Sequence, residues 1–326
     1  MIEINKIYQE PCLNTVARMD DNSIDCVITS PPYWQLRDYG YDGQWGLEPT
    51  YQEYLENLWS LMDAIYPKLK DGGTVWVNLG DSYSTQSGTN AALARGKSYE
   101  HESTYLTNRG ESGKLIKPKN MQNKCLLLIP HRFAIGCIDR GWILRNDIIW
   151  AKRNGMPESV TDRFSKKHEY FFFMVKSEKY YFDLDAIRDR TKTGLDRCDI
   201  IKSNTSSNAT ALNSGRAKEL EKKGSYEFKN NPKGKNPGSV SDFWDIPTKP
   251  SSAKHYATYN DSLLVKPILA GCPKGGIIYD PFMGTGSTAE AAIRAGRRFI
   301  GSEMSEDYVK IAEERLDPFL RQLTLF

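Results

Sequence analysis

The chain has 326 residues, 39% of them hydrophobic and 26% charged, which is enough for a folded core and excludes a disordered polyelectrolyte. Its net charge is only +3, so any nucleic-acid contact depends on local basic patches. Six scattered cysteines without a Cys-x-x-Cys pair argue against a zinc site or a disulfide framework, and no signal-peptide or membrane-spanning pattern is visible. We expect a cytoplasmic protein that binds no metal.

Strand and helix patterns alternate in the first part of the chain. The short apolar segment 25–29 is typical of a buried strand. Residues 51–66 carry apolar side chains at helical spacing, and we expect Pro67 and the pair Gly72-Gly73 to mark the end of this helix. A second buried strand is predicted at 74–79.

The middle of the chain contains two polar stretches separated by apolar elements. Residues 82–124 are rich in Gly, Ser, Thr and Asn, which predicts a long loop. A helix is predicted at 125–138, and strands at 141–150 and 169–176. Residues 183–240 combine Ser, Asn, Lys, Arg and Gly with few large apolar residues and cannot form much core alone. This stretch is either a solvated linker or an insertion whose Lys and Arg residues meet phosphates.

The last part of the chain predicts a compact β-α-β-α unit. Strands are predicted at 276–279 and 298–301, and helices at 287–295 and 305–316. Such a unit is the building block of a doubly wound, mostly parallel α/β sheet. We therefore expect two halves of one domain, residues 1–182 and 241–326, separated by the insertion at 183–240.

A glycine-containing turn lies between the strand and the helix of this last unit. Gly284 and Gly286 allow positive φ and a close approach of the backbone to a ligand. Free N–H groups follow at the helix N-terminus. Glu303, near the end of the next strand, can accept hydrogen bonds from both ribose hydroxyls of a nucleoside cofactor. The pattern also fits the dinucleotide motif G-x-G-x-x-A, and a tight turn without a ligand stays an alternative.

A tetrapeptide of sequence Ser-Pro-Pro-Tyr follows the first buried strand directly. Ligands of open α/β sheets bind at the carboxyl ends of strands, so this position is suited to chemistry. The two prolines stiffen the backbone and remove two N–H donors. Ser30 Oγ and the Pro31 carbonyl can then accept both hydrogens of an exocyclic amine and direct its lone pair at an electrophile. Tyr33 offers a flat face on which a flipped base can stack.

The two motifs together carry a resemblance. Ser-Pro-Pro-Tyr at 30–33 and Asp-Pro-Phe-Met-Gly-Thr-Gly-Ser-Thr at 280–288 resemble the N4-cytosine/N6-adenine DNA methyltransferase family. Their order, with the polar insertion between them, resembles the β group of that family. The resemblance implies a Rossmann-like S-adenosylmethionine-dependent fold and a target-recognition insertion at 183–240. It also implies base flipping in duplex DNA and direct transfer of the methyl group.

The resemblance also implies three sets of site residues. The catalytic set is Ser30, Pro31, Pro32 and Tyr33. The cofactor-binding set is Asp280, Phe282, Gly284, Gly286, Ser287, Thr288, Glu303 and Tyr259. The DNA-binding set is Trp34, Lys152, Arg153 and Arg163, with packing as the alternative role of Trp34. Many relatives carry Gly-Asp after their first strand, where the Asp meets the cofactor adenine. This chain has Glu10-Pro11 there, so Glu10 or a backbone group is expected to replace that contact.

The target base and the partners follow from the same resemblance. Ser30 as the first tetrapeptide residue favours cytosine N4, whereas Asp or Asn there favours adenine N6. Methylation of cytosine C5 would need a thiolate nucleophile, and Cys12 is predicted to be a buried apolar residue instead. A catalytically silent DNA-binding protein and a methyltransferase of RNA or a small amine stay alternatives. Duplex DNA is the expected partner in a nucleoid-associated location, with a restriction endonuclease of the same site as a candidate second partner.

Overall fold

The computed structural model describes residues 2–84, 122–155, 158–188, 241–248 and 261–323. The strands in these ranges are β1 Lys6–Gln9, β2 Ile24–Thr29, β3 Leu69–Leu79, β4 Ile143–Ala151, β5 His168–Val175, β6 Phe243–Asp245, β7 Ile277–Asp280 and β8 Arg298–Glu303. The helices are α1 Cys12–Ala17, α2 Tyr51–Lys68, α3 Ile129–Asp139, α4 Asp261–Gly271, α5 Ser287–Arg294 and α6 Glu306–Leu323. A short 3₁₀ turn spans Asp185–Ile187.

The eight strands form one mixed sheet in the order β1-β8-β7-β2-β3-β5-β4-β6. Every neighbouring pair is parallel except the two pairs that involve β5, which runs against the others. The predicted mostly parallel α/β sheet is therefore confirmed. The carboxyl ends of seven strands and the start of β5 lie along the same edge, so residues distant in the chain can meet there.

Helices cover both faces of the sheet and divide the core into two clusters. Alternate residues of a strand point to opposite faces. On β3, Val75 and Val77 belong to the cluster under α1, α2 and α3, whereas Trp76 belongs to the cluster under α4, α5 and α6. The buried face of α2 consists of the apolar residues expected from its spacing together with two tyrosines: Tyr51, Tyr54, Leu55, Leu58, Leu61, Met62 and Ile65. This three-layer packing explains why both faces of the central strands are apolar.

Three element boundaries differ clearly from those predicted: the end of α2, the start of α3, and the end of α6, which lies at Leu323 rather than at about 316. Pro67 lies inside the last turn of α2, and Gly72-Gly73 belong to β3, which starts directly after the helix at Leu69. A side chain at Gly73 would approach the Leu69 side chain to 2.6 Å, so the glycine serves packing within the strand. Helix α3 starts at Ile129 rather than at Cys125, because Leu128 takes a left-handed conformation and Pro130 fits the first turn.

The chain divides into two units, residues 1–183 with 242–326, and residues 184–241. The structure describes only 184–188 and 241 of the second unit, so the predicted recognition insertion falls almost wholly outside the described residues. In the described ranges, no helix is both long and apolar enough to cross a membrane.

Candidate active site

The two sequence motifs meet at the point where the order of the sheet reverses. From β2 the chain crosses to β3 on one side, and from β7 it crosses to β8 on the other. Strands β2 and β7 are neighbours, with Val27 paired to Tyr279. A crevice forms at the carboxyl ends of such strands, and ligands of open α/β sheets bind there. The tetrapeptide after β2 and the glycine turn after β7 therefore face one crevice.

A buried carboxylate ties the two motifs together. Asp280 Oδ1 accepts hydrogen bonds from Thr29 Oγ1 at 2.8 Å and from the Phe282 amide at 3.0 Å. Its Oδ2 accepts from Thr288 Oγ1 at 2.6 Å. Asp280 is 2% exposed, and this burial raises the pKa of its carboxyl to about 6. One side chain thus joins the end of β2, the turn and the start of α5.

The turn itself depends on its two glycines. Gly284 and Gly286 have φ of +55° and +83°, in the left-handed region where other residues are strained. A Cβ on Gly286 would lie 3.0 Å from Ala312 Cβ, so this glycine lets the turn pack against α6. A Cβ on Gly284 would meet nothing within 4 Å, which leaves open space above the turn. The turn therefore presents bare backbone to the crevice.

Glu303 at the end of β8 is anchored to this turn. Its Oε2 accepts the Gly284 amide at 2.8 Å, and its Oε1 accepts the Ser305 amide at 2.8 Å. Burial raises the pKa of the Glu303 carboxyl. Each carboxylate oxygen keeps a second lone pair, so the group can still accept hydrogen bonds from two neighbouring hydroxyls of a ligand.

Residues that follow the tetrapeptide form one wall of the crevice. This wall is aromatic and polar, and its members are Leu36, Arg37, Tyr39, Tyr41, Gln44 and Trp45. The ring of Trp45 lies 5.4 Å from that of Phe282, and Tyr39 contacts Tyr308 edge to face at 6.4 Å between ring centroids. This wall was not predicted from the sequence, although the three aromatic residues Tyr39, Tyr41 and Trp45 soon after the tetrapeptide were a visible signal.

The tetrapeptide is fixed by its surroundings. The Pro32 carbonyl accepts the hydroxyl of Tyr54, a fully buried residue of α2, at 2.8 Å. The Tyr33 ring lies against Gly80, where a Cβ would come within 2.6 Å of Tyr33 Cε2. Only a glycine at position 80 leaves room for the Tyr33 ring here, so backbone atoms support one side of the ring.

Asn78 orients two side chains of the tetrapeptide. Its Nδ2 donates to the Tyr170 carbonyl at 2.9 Å, which fixes the amide so that Oδ1 faces the crevice. Ser30 Oγ lies 3.5 Å from this Oδ1, and the Tyr33 hydroxyl lies 3.0 Å from it. When the Ser30 proton points to Asn78, the lone pairs of Ser30 Oγ are directed to the crevice. Ser30 is then set as an acceptor.

A charged pair closes the same end of the crevice. Glu169, at the start of β5, accepts from the Tyr33 hydroxyl at 2.8 Å and forms an ion pair with Lys152 at the end of β4. The Lys152 ammonium lies 4.2 Å from the centroid of the Trp150 ring. The Tyr33 hydroxyl has one proton, which it donates either to Glu169 or to Asn78. Sequence reasoning did not single out Asn78 or Glu169.

These groups line one cavity of about 430 Å³. It includes all four tetrapeptide residues and, from the predicted cofactor set, Asp280, Phe282, Gly284, Ser287, Thr288 and Glu303. Glu10 and Cys12 lie at its edge. Glu10 Oε1 accepts from Thr15 Oγ1 at 2.7 Å and pairs with Arg18, so a ligand contact would use its other oxygen. Burial raises the pKa of the Cys12 thiol to about 12, which disfavours a nucleophilic thiolate.

Of the remaining predicted site residues, only some lie at the cavity. Lys152 lines the cavity. Arg153 is exposed and pairs with Asp245. Arg163 bonds Glu158 at 2.6 Å and lies 4.1 Å from the centroid of the Tyr83 ring. Trp34 is buried against Tyr51 and donates to the Glu48 carbonyl at 3.0 Å, so it packs in the core and does not face the cavity. Tyr259 lies outside the described residues.

Comparison with known proteins defines the class. The family model described as DNA methylase, N6_N4_Mtase, matches residues 24–314. The type II methyltransferase M.Cfr9I of Citrobacter freundii is 33% identical over 97% of this chain and 89% of the relative. The chain therefore belongs to the N6/N4 DNA methylase family.

Solved structures share the fold at low sequence identity. PvuII DNA methyltransferase, which is cytosine-N4-specific, superposes with a TM-score of 0.61 at 16% identity, over 98% of this chain and 92% of that one. A Thermus thermophilus protein complexed with S-adenosyl-L-methionine gives 0.55 at 19% identity, over 97% and 94%. The predicted methyltransferase fold is thereby confirmed.

Proposed function

We propose that this protein transfers a methyl group from S-adenosylmethionine to the N4 amine of a cytosine in duplex DNA. The observation that carries the proposal is the shared cavity. Ser30 and Tyr33 line it on one side and the glycine turn lines it on the other, with Asp280 bonded to both motifs. A methyl donor and an amine acceptor can therefore be held next to each other.

The cavity residues fit the cofactor. Bound S-adenosylmethionine supplies an electrophilic methyl group on a positively charged sulfonium. The open space above Gly284 admits a ligand against bare backbone, and Glu303 can accept hydrogen bonds from ribose hydroxyls. The Trp45 and Phe282 rings add apolar surface. The T. thermophilus protein of the same fold was solved with this cofactor, which supports the assignment.

The tetrapeptide residues suit an exocyclic amine. Ser30 Oγ, oriented by Asn78, and the Pro31 carbonyl accept the two amine hydrogens, which turns the nitrogen lone pair towards the methyl group. Tyr33 stacks on the flipped base, and the rate gain comes mainly from positioning. After transfer the nitrogen is cationic and acidic, so it loses its proton without a strong base.

The choice of cytosine rests on Ser30 and the pocket around it. Cytosine N3 and O2 are hydrogen-bond acceptors on the side of the ring next to N4. The Lys152 ammonium, held by Glu169, is a donor at this end of the cavity. The same fold in the cytosine-N4-specific PvuII enzyme is consistent with this choice. N6-adenine methylation is the second candidate, since adenine N1 is also an acceptor beside its amine.

The biological setting follows from the relatives. M.Cfr9I is named as a type II methyltransferase, a name that fits protection of a DNA site from an endonuclease. We propose the same role here, with residues 183–240 reading the sequence and an endonuclease of the same site as the second partner.

The direct test is nucleoside mass spectrometry of unmethylated genomic DNA after incubation with the protein and labelled S-adenosylmethionine. N4-methylcytosine in the digest supports the proposal, and sequencing of the same DNA gives the recognition site. N6-methyladenine in the digest would show that the target base is adenine rather than cytosine, and would leave the rest of the proposed function unchanged. The Ser30→Ala variant is the matched control and should lose most of the product while it still binds the cofactor.

A further inference from the structure

One exposed aromatic residue stands apart from the apolar surface of the described chain. Phe164 is 97% exposed, whereas the other exposed large apolar residues in the described ranges are between 37% and 58% exposed. Single apolar side chains on a surface are common, but a phenylalanine held almost fully in water is unfavourable. Its exposure leaves the ring available to a partner.

The segment that carries Phe164 leaves the sheet at the proposed base pocket. It connects β4 to β5, and the Lys152 amide donates to the Lys167 carbonyl at 2.8 Å where the two strands end. Lys152 lines the cavity, and Glu169, two residues after this contact, bonds the Tyr33 hydroxyl. The segment thus extends from the side of the cavity where the base would stack.

The neighbours of Phe164 are anchored, and they hold the backbone from which its side chain projects. Asp162 pairs with Lys124 at 2.5 Å. Arg163 Nη1 bonds both Glu158 at 2.6 Å and the Phe164 carbonyl at 3.0 Å. The Lys166 ammonium donates to the Asp81 carbonyl. Bonds on both sides hold the backbone of Phe164, which lowers the entropy lost when the side chain binds.

The segment around Phe164 has a small excess of basic residues. Residues 152–167 contain five Lys and Arg residues against two Asp and Glu residues. Lys152, Arg153 and Arg163 form ion pairs with Glu169, Asp245 and Glu158, so only part of this positive charge is left for a ligand. An apolar side chain within a basic segment matches a duplex, whose phosphates are anionic and whose base stack is apolar.

We propose that Phe164 enters the DNA stack and fills the space left when the target base moves into the cavity. The inference rests on the proposed methylation of a base in duplex DNA, but not on which base is modified. Filling the gap keeps the neighbouring base pairs stacked and lowers the cost of the flipped state. Phe164 is a positioning residue in this proposal, because it does not touch the reacting atoms.

The test compares two duplexes that contain the recognition site found by sequencing. One is fully paired, and the other has an abasic site opposite the target base, so that the base leaves the stack without losing a pairing partner. We expect Phe164→Ala to lower kcat/KM on the paired duplex about tenfold and to approach the wild-type value on the abasic duplex. Phe164→Leu should keep most of the activity, because it keeps an apolar side chain.

The controls separate this inference from the proposed function. Ile138→Ala removes an apolar side chain that is 47% exposed near the end of α3, at the opposite edge of the sheet, and should leave both duplexes unaffected. Wild-type activity on the paired duplex tests the proposed function, whereas the Phe164 variants test the inference. Equal activity of Phe164→Ala and wild type on the paired duplex, or an equal loss on both duplexes, would overturn the inference. Absence of any DNA methylation by the wild type would overturn both.

Discussion

The cofactor half and the base half of the cavity are built in different ways. Most of the cofactor half comes from one continuous segment, 280–303, in which β7, the glycine turn, α5 and β8 follow one another, with Trp45 added from the wall after the tetrapeptide. Its shape depends on backbone conformation, as the positive φ angles of its two glycines show. The base half combines side chains from four strand ends: the tetrapeptide after β2, Asn78 on β3, Lys152 after β4 and Glu169 on β5. These side chains are held by hydrogen bonds to one another.

Because the two halves are built differently, they should respond separately to substitution. Substitutions that distort the backbone of the glycine turn should lower the affinity for the cofactor. Changes in the side-chain network should act on the methyl-transfer rate and leave cofactor affinity nearly intact, because the network lies on the other side of Asp280.

The largest expected effect is at Gly286. A valine there would combine a strained φ of +83° with a contact of 3.0 Å or less to Ala312, so the turn would lose its shape. We expect binding of S-adenosylmethionine to become undetectable by isothermal titration calorimetry. Gly275→Val is the control, since Gly275 has φ of +75° and open space around it. It should lose roughly 1–3 kcal/mol of stability in denaturant unfolding but bind the cofactor normally. Normal cofactor affinity in Gly286→Val would contradict the role of the turn.

The next effect is at Tyr33. Removal of its ring in Tyr33→Ala should lower kcat on duplex DNA roughly tenfold to a hundredfold, because stacking of a base on an aromatic ring contributes roughly 1–3 kcal/mol. Cofactor affinity should change little. Tyr33→Phe keeps the ring and loses only the hydroxyl contacts with Asn78 and Glu169, so its loss should be smaller. Single-turnover methylation kinetics measure both, and a Tyr33→Ala enzyme with wild-type kcat would exclude stacking on this ring.

The two halves also differ in how far the sequence predicts them. The glycine turn, Glu303 and the β-α-β pattern are local in the chain, so spacing predicted their position, and the resemblance of Asp280-Pro281-Phe282 to a methyltransferase loop favoured a cofactor turn over the alternatives. The position of the tetrapeptide after a predicted strand placed it at the ligand-binding edge of the sheet, and its catalytic role was implied by its resemblance to the family motif.

Asn78 and Glu169 could not be found in this way. They face the same cavity only because β5 runs antiparallel to β3, with Leu79 paired to Tyr170. That pairing is a long-range property of the sheet. The local pattern also did not reveal that Trp34 turns into the core.

A smaller effect is expected at Gly80. An alanine Cβ at this position would lie 2.6 Å from Tyr33 Cε2, so the ring must shift from its place. We expect a several-fold lower kcat with unchanged cofactor affinity, since positioning of the base is impaired. Gly72→Ala is the control, within the strand β3 that directly precedes Gly80, because its Cβ would meet no atom closer than 3.8 Å. If the two variants had equal kcat, the place of the Tyr33 ring would not matter for the reaction.

The smallest effect is a pH dependence of cofactor affinity that depends on Asp280. Burial raises the pKa of this carboxyl to about 6, so the group is neutral below this pH and anionic above it. A cationic cofactor stabilises the anion, and its affinity should therefore rise as the pH increases through about 6 and level off above. We expect the Kd, measured by equilibrium dialysis, to fall several-fold between about pH 5 and about pH 7.5, which lie on either side of that pKa.

Substitution separates Asp280 from the other buried carboxyl of the cavity. Asp280→Asn keeps the size of the side chain but cannot ionise, so most of the rise through pH 6 should disappear. Burial also raises the pKa of Glu303, and any dependence that remains in Asp280→Asn should vanish in the double variant with Glu303→Gln. Asp25→Asn, which changes a buried carboxylate at the opposite end of β2, should retain the wild-type profile. A wild-type profile in Asp280→Asn would show that the charge of Asp280 does not act on the cofactor, and would leave it only the role of joining the two motifs.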